Sequence, residues 1–241
     1  MYSRKKKLLG FLVSFILLFG AALYLAQRTA LQETFSAAAP DRNVVVIDAG
    51  HGGEDGGAVS VTGAVESQIN LAIALRLDQI FGLYGADCVL LRDSDVSLHD
   101  PDAETLREKK VSDLHNRVAA IEALQDPVVI SIHQNSYPGS QYHGAQVFYA
   151  NGELSLPLAQ ITQETLRTAL DPENTRQPAP IAESVYLMNH ISCRAILVEC
   201  GFLSTPQEEQ LLRSAEYQTG IAFALASAYL NYQEGEIPNA S

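Results

Sequence analysis

The sequence predicts an α/β fold for residues 43–232, preceded by one N-terminal transmembrane helix. Three observations lead to this prediction. Strand-like and helix-like patterns alternate along residues 43–232, which is typical of a layered α/β structure. Residues 44–47 are a continuous β-branched run, as buried parallel strands tend to be. Residues 8–26 carry no charge and are long enough to cross a membrane.

The elements of the domain follow from local patterns. In residues 66–84, apolar side chains such as Ile69, Ile73 and Leu77 recur at helical spacing, which predicts a helix after the glycine-rich loop 50–57. The other predicted elements are strands over residues 44–47, 88–91, 128–132, 146–149, 185–188 and 195–198, helices over residues 111–124, 154–170 and 205–232, and loops over residues 93–110 and 171–180.

The start of the last helix has the sequence of a capping box. Thr205 is predicted to be the N-cap, Pro206 to lie in the first turn, and Glu208 to supply the acidic side chain that returns to the cap. We therefore expect a single helix from this point to about residue 232. Residues 233–241 are predicted to be a frayed tail.

The segment before residue 43 predicts a membrane location. Residues 1–7 form a basic cytoplasmic segment, residues 8–26 an apolar anchor, and residues 27–42 a polar linker. Nineteen residues at about 1.5 Å each nearly match a hydrocarbon core of about 30 Å, so we favour an anchor. A cleaved signal segment is the alternative. The basic cluster stays inside in both cases, which predicts an extracytoplasmic domain, anchored or, after cleavage, secreted.

Charge and cysteine content exclude two classes of function. Residues 1–40 hold five of the 16 basic residues and one of the 28 acidic residues, which leaves 11 basic and 27 acidic residues in the rest. Such an acidic domain repels nucleic acid. The three cysteines, Cys88, Cys193 and Cys200, contain no Cys-x-x-Cys pair. A thiolate zinc site is therefore unsupported, and we expect three buried cysteines that act as small apolar residues, with no bridge between Cys193 and Cys200.

Polar side chains follow three apolar strands at the point where each strand ends. His51 follows the first strand, His133 a later one, and Glu199 the last. Ligands bind beyond the carboxyl ends of strands in open α/β sheets, so these side chains can converge. Glu66 opens a helix whose first turn returns to the same edge. Two histidines and a carboxylate with a fourth position open to water are typical of catalytic zinc.

Other interpretations of these residues remain open at this point. A histidine at a strand end is often only hydrogen-bonded, and a glutamate at a helix start stabilises the helix dipole without any metal. Glu199 is harder to explain, because a buried carboxylate without a partner is costly. A nucleotide site in loop 50–57 does not fit, because Asp55 interrupts the Gly-x-Gly-x-x-Gly pattern. Asp48 or a backbone carbonyl is expected to orient one of the histidines.

Four ordered blocks of the sequence resemble a known family. They are residues 46–53 (VIDAGHGG), residues 63–66 (GAVE), residues 131–135 (SIHQN) and residues 197–204 (LVECGFLS). These blocks are similar to those of the zinc-dependent N-acetylmuramoyl-L-alanine amidases of the type 3 class. The resemblance is greatest to the sporulation branch, which comprises cortex or germination-specific enzymes.

This resemblance implies a three-layer α/β/α fold around a twisted, mostly parallel six-stranded sheet. It implies one Zn²⁺ per chain, with His51, Glu66 and His133 as ligands and Glu199 as the catalytic residue. The bond cut is the amide between N-acetylmuramic acid and L-alanine of the peptidoglycan stem peptide. Asn135 and Arg176 match positions near the substrate groove of the family.

The sequence departs from the family at Ala49, where proline is common, and at residues 175–177, which read Thr-Arg-Gln in place of Asp-Arg-Gly. These departures affect the groove and leave the ligands intact. Two alternatives stay open: a zinc peptidase acting on stem peptides, and a non-catalytic wall-binding protein of the same fold. A requirement for an activating protein partner stays open as well.

Overall fold

The computed structural model describes residues 43–139 and 142–235, with a six-stranded sheet at the centre. The strands are β1 (Val45–Ala49), β2 (Cys88–Leu90), β3 (Val128–Asn135), β4 (Gln146–Tyr149), β5 (Ala179–Pro180) and β6 (Arg194–Phe202). Their order across the sheet is β2-β1-β3-β6-β4-β5. All neighbours pair in parallel except β4 and β6, which are antiparallel. The predicted α/β fold with a mostly parallel six-stranded sheet is confirmed.

Helices cover both faces of this sheet. They are α1 (Glu66–Leu83), α2 (Leu106–Glu122), α3 (Leu156–Leu170), α4 (Tyr186–Asn189), α5 (Pro206–Leu212) and α6 (Ala215–Gln233). Alternate side chains of β1 show the layering: Val45 and Ile47 pack in the core with α1, α3 and α6, whereas Val46 packs in a second core with α2 and α4. Burial on both faces explains the continuous apolar run that the sequence displays.

Residues 185–188, predicted to be a strand, instead form most of α4. Asn189 donates from its backbone to the carbonyl of Val185, and its side-chain amide donates to the carbonyls of Ala182 and Val185. Leu187 and Met188 are buried against the sheet. The prediction was wrong because periodicity cannot assign a run of four apolar residues to either structure.

Helix α2 begins at Leu106, inside the segment predicted to be a loop. Thr105 caps it: the Thr105 hydroxyl accepts from the backbone of Glu108, and the Glu108 carboxylate accepts from the backbone of Thr105. This capping box starts the helix before the apolar spacing from which the helix was predicted begins.

The loop predicted over residues 171–180 ends in β5, a two-residue strand at the edge of the sheet. Pro180 fits there because an edge strand does not need every backbone N–H for pairing.

The capping box predicted at Thr205 and Glu208 does not form. The Thr205 hydroxyl donates to the carbonyl of Tyr142, and the Glu208 carboxylate accepts from the backbone of Gly144 and Phe202. Both side chains therefore hold neighbouring chain segments in place. The single helix expected to reach residue 232 is also interrupted, because Ser214 caps the separate helix α6.

The predicted basic segment 1–7, the anchor 8–26 and the linker 27–42 lie outside the described residues, as do residues 236–241 of the predicted tail. Within residues 43–139 and 142–235, no helix has both the length and the hydropathy of a membrane span. Cys193 and Cys200 are buried and unpaired, as expected, whereas Cys88 is only half-buried.

Candidate metal centre

The carboxyl-terminal edge of the parallel strands brings the predicted site residues together. His51 lies two residues beyond the end of β1, and His133 and Glu199 occupy paired positions on β3 and β6. Glu66 is the first residue of α1. Because the loop before α1 returns to the same edge, this carboxylate reaches the two histidines.

The donor atoms of three residues converge closely enough to hold one cation. The Oε1 atom of Glu66 lies 3.0 Å from Nδ1 of His133 and 3.4 Å from Nε2 of His51. One donor atom from each residue lies within 4.8 Å of the others. Two imidazole nitrogens and one carboxylate oxygen are a donor set that divalent transition metals prefer. The geometry thus supports the predicted ligand set.

Two glycines make room for this convergence. A Cβ atom on Gly50 would lie 2.2 Å from Nε2 of His133. Gly57 has a φ of +69°, and its Cβ would lie 2.5 Å from Oε2 of Glu66. Any larger residue at either position would displace a ligand. These glycines therefore allow the backbone and the candidate ligands to pack closely around the centre.

Backbone donors fix the carboxylate of Glu66. Ala58 donates from its backbone to Oε2 at 2.8 Å, and Gln134 donates to Oε1 at 3.1 Å. Burial acts to raise the pKa of Glu66, but the hydrogen bonds and charges of His133 and His51 hold that pKa well below its usual range. The contacts of this carboxylate therefore favour its ionised form, which is the form that binds a cation.

The residue that orients His51 is Asp55. We predicted that Asp48 or a backbone carbonyl would orient one of the histidines, and the prediction of Asp48 was wrong. Oδ2 of Asp55 lies 2.9 Å from Nδ1 of His51 and 3.1 Å from the ammonium group of Lys110. Asp48 instead accepts from Arg117 and from the hydroxyl of Ser131. Burial acts to lower the pKa of His51, but hydrogen bonds to Asp55 and Glu66 raise it to about 9. Nε2 is left to face the centre.

Glu199 has the properties of a general base. Among the described residues, its Oε2 atom is buried without any hydrogen-bond partner. Burial raises the pKa of Glu199 to about 7, with His133 acting to lower it and Glu66 acting to raise it further. A carboxyl group that exchanges its proton near neutral pH suits proton transfer during hydrolysis.

The residues predicted for the groove lie beside this centre. Asn135 pairs with Phe202 at the ends of β3 and β6. Arg176 donates to the side chain of Gln146, whose position on β4 pairs with Glu199, and its guanidinium lies 4.8 Å above the ring of Phe202.

Two exposed tyrosines at this end of the sheet were not predicted from the sequence as candidate site residues. Tyr137 and Tyr142 are in edge contact with each other, and Tyr142 stacks on Phe202. Their position shortly after β3, the strand that carries His133, could have indicated a role near the site.

A protein-family model described as N-acetylmuramoyl-L-alanine amidase matches residues 45–231. The chain belongs to this amidase family. The predicted family is thereby confirmed, and the chain is a hydrolase that cleaves the amide between N-acetylmuramic acid and L-alanine.

Individual relatives agree with this assignment. The germination-specific N-acetylmuramoyl-L-alanine amidase of Bacillus subtilis is 32% identical, over 98% of this chain and 99% of the relative. The amidase AmiA of Escherichia coli is 26% identical over 79% of this chain and 76% of the relative. Among solved structures, CwlD of Clostridioides difficile, in complex with the GerS lipoprotein, has 34% identity and a TM-score of 0.78, over 81% of this chain and 100% of that one.

Proposed function

We propose that this amidase is zinc-dependent, with His51, Glu66 and His133 holding one zinc ion and Glu199 acting as the general base. The observation that carries the proposal is the convergence of three donor atoms within 4.8 Å beside a partly buried carboxylate. Two imidazoles, one carboxylate and an open fourth position form the donor set of catalytic zinc. Structural zinc sites are closed and more often rich in cysteine.

In this mechanism a bound zinc ion supplies a Lewis acid that polarises the scissile carbonyl and acidifies the attacking water. Glu199 accepts a proton from that water at Oε2, and the water oxygen bonds to the carbonyl carbon of the lactyl group. As the carbon–nitrogen bond breaks, Glu199 passes the proton to the departing amine of L-alanine. The products are a lactyl carboxyl group on the sugar and a free amine on the stem peptide.

We assign the glycan strand to the edge formed by Arg176, Tyr137 and Tyr142, with the buried ring of Phe202 packed beneath Arg176 and Tyr142. The guanidinium and the tyrosine hydroxyls offer hydrogen-bond donors, and the exposed tyrosine rings offer apolar surface, which together suit a sugar ring with an acetamido group. Support comes from the pairing of Gln146, the partner of Arg176, with Glu199. Asn135 borders the same edge.

The biological role that we propose is maturation of the spore cortex at the outer face of the membrane. Support comes from the germination-specific relative, which matches almost the entire chain. The uncharged residues 8–26 support a membrane anchor with its N-terminus inside. The complex of CwlD with a lipoprotein supports a lipoprotein as the activating partner of this chain.

The decisive experiment is mass spectrometry of muropeptides after incubation with the purified full-length chain. We expect new peptides that begin with L-alanine, and we expect a chelator to abolish them and added zinc to restore them. A new terminus at an internal stem residue would instead identify a peptidase. Bound zinc without turnover of any muropeptide would identify a non-catalytic wall-binding protein.

A further inference from the structure

The backbone that carries His51 has an unusual conformation. His51 has a φ of 62°, which places a residue with a bulky side chain in the left-handed region. A positive φ is uncommon for any residue other than glycine, although asparagine, aspartate and histidine adopt it more often than the rest. Such a conformation persists only where surrounding contacts determine it, and it often marks a functional site. The contacts around residues 49–51 therefore carry information about the role of this segment.

Two arginines bind the three consecutive carbonyl groups of this segment. Arg92 donates from Nε to the carbonyl of Ala49 at 2.8 Å and from Nη2 to the carbonyl of Gly50 at 3.2 Å. Arg117 donates from Nη1 to the carbonyl of Ala49 at 3.1 Å and from Nη2 to the carbonyl of His51 at 2.9 Å. Every carbonyl from residue 49 to residue 51 thus accepts from a guanidinium.

Both guanidinium groups are themselves held in place. The side chain of Arg117 is 2% exposed, and it pairs with Asp48 and, at 2.8 Å, with Asp113 of its own helix. Arg92 is 3% exposed and donates at 2.8 Å to the carbonyl of Ser67, the residue after Glu66. Arg92 consequently ties the His51 segment to the first turn of the helix that carries another candidate ligand.

Stability alone does not explain this arrangement. Burying paired charges costs desolvation free energy, so a buried ion-pair network is weak evidence of a stabilising role. An arginine fork can bind two acceptors at fixed relative positions, which a lysine ammonium cannot do. The structural outcome of the network is a fixed direction for three carbonyls, and hence for the backbone of His51.

We propose that Arg92 and Arg117 are positioning residues that hold His51 in its left-handed conformation and thereby set the affinity of the metal centre. This inference rests on the proposed function, because it takes His51 to be a metal ligand. Neither arginine touches the donor atoms. Each acts through the main chain of residues 49–51, so its loss allows the imidazole to move away from Glu66 and His133.

The test compares lysine variants at three arginines of the full-length chain. Arg92→Lys and Arg117→Lys keep the positive charge and remove the fork. Arg76→Lys is the matched control, because Arg76 also donates to a backbone carbonyl, that of Ala72, but on the side of α1 that contacts Thr219 of α6. Zinc dissociation constants are measured by competition with a chromophoric chelator, and the visible spectrum of the cobalt-substituted protein reports ligand geometry.

We expect Arg92→Lys and Arg117→Lys to weaken zinc binding by about 10- to 100-fold, as loss of outer contacts to metal ligands typically does. Their cobalt spectra should differ from that of the wild type, whereas Arg76→Lys should match the wild type in both measurements. Leu225→Ala, on α6 in the core formed with α1 and α3, controls for lower stability. It should unfold at a lower temperature and still bind zinc with wild-type affinity.

Wild-type zinc affinity and an unchanged cobalt spectrum in both lysine variants would overturn the inference. Arg92→Lys decides the question if Arg117→Lys fails to fold, because it leaves the pairs of Arg117 with Asp48 and Asp113 intact. Absence of zinc binding by the wild type would overturn the proposed function itself. The two failures are therefore distinguishable.

Discussion

At the scale of single residues, Glu199 lies close to the candidate ligands and has one carboxylate oxygen without a hydrogen bond. It pairs with His133 across two strands, and Oε2 has no hydrogen-bond partner among residues 43–139 and 142–235. The other carboxylates near the centre, Glu66 and Asp55, are engaged with histidines. Glu199 is therefore the acidic side chain available for proton transfer.

The substitution Glu199→Gln tests this role. We expect it to lower hydrolysis by about 10²- to 10⁴-fold, the usual contribution of a general base. Zinc content should be unchanged, because the three ligands remain. Muropeptide release and elemental analysis measure the two quantities. Wild-type turnover in this variant would refute the assignment of the base.

The pKa of Glu199 also predicts how hydrolysis depends on pH. A base must be ionised to accept a proton, so hydrolysis should fall as the pH is lowered through the pKa, which burial raises to about 7. A bound cation favours the ionised form and moves the midpoint below about 7. The measurement is kcat/KM against pH, with bound zinc determined at each pH so that metal loss is accounted for. No decline at acidic pH while zinc stays bound would contradict the prediction.

Metal content tests the ligand set directly. His133→Ala removes one nitrogen donor, and we expect the zinc stoichiometry to fall well below one per chain after dialysis. The matched control is His190→Ala, because His190 stacks on Tyr186 and contacts no candidate ligand in the described part of the chain. Equal zinc content in both variants would remove His133 from the ligand list.

The sequence predicted the residues that converge at the centre better than it predicted the contacts around them. The convergence of His51, His133 and Glu199 could be predicted because strand ends in a parallel sheet share one edge, which depends only on the strand pattern. Asp55 was missed in favour of Asp48, because it acts from within loop 50–57, whose path is set by glycine conformations and not by periodicity. The role of Arg117 was missed because its hydrogen bond to the carbonyl of His51 joins residues that are 66 positions apart in sequence.

At the scale of secondary structure, the capping box of α2 is a local device whose contribution can be measured. Thr105→Ala removes the hydroxyl that accepts from the backbone of Glu108, so we expect it to lower the free energy of unfolding by about 1 kcal/mol. Urea unfolding of the zinc-loaded chain measures this value. The control is Thr168→Ala on the exposed side of α3, for which we expect a change within about 0.5 kcal/mol. Equal effects of the two substitutions would refute the capping role.

Element types were predictable where a periodic pattern was long, and uncertain where it was short. Helix α1 agrees with its prediction to within one residue, since it spans five turns with regular apolar spacing. The four residues 185–188 gave no such pattern, and a helix formed where a strand was expected. The side chain of Glu208 shows a further limit: its sequence context matched a capping box, but tertiary contacts with Gly144 and Phe202 took the carboxylate instead.

At the scale of the whole molecule, the metal centre joins parts of the fold that are distant in sequence. Its candidate ligands come from the loop after β1, the start of α1, and β3. A cation that binds only the folded state should therefore stabilise the entire domain. At a free zinc concentration of about 100 times Kd the gain is about 2.7 kcal/mol. For a chain of this size, that gain corresponds to roughly 5–11 °C in the unfolding temperature.

Differential scanning calorimetry with and without a chelator checks this prediction. His133→Ala is the control, because a chain that has lost a candidate ligand should show little difference between the two conditions. A wild-type unfolding temperature that does not respond to zinc would contradict the prediction.

The layered architecture could be predicted from alternating patterns, but the strand order could not, because pairing partners depend on long-range packing.

The antiparallel pairing of β4 with β6 has a consequence for how such enzymes can diversify. β4 enters the sheet at the edge where β3 leaves it, and β6 lies between the two strands. The chain between β3 and β4 is short, and its described residues, 136–139 and 142–145, contain no helix. Insertions or deletions in this connection would reshape the mouth of the groove while the strands that carry His133 and Glu199 stay in register. Recognition of different cell walls can therefore evolve separately from the bond-breaking chemistry.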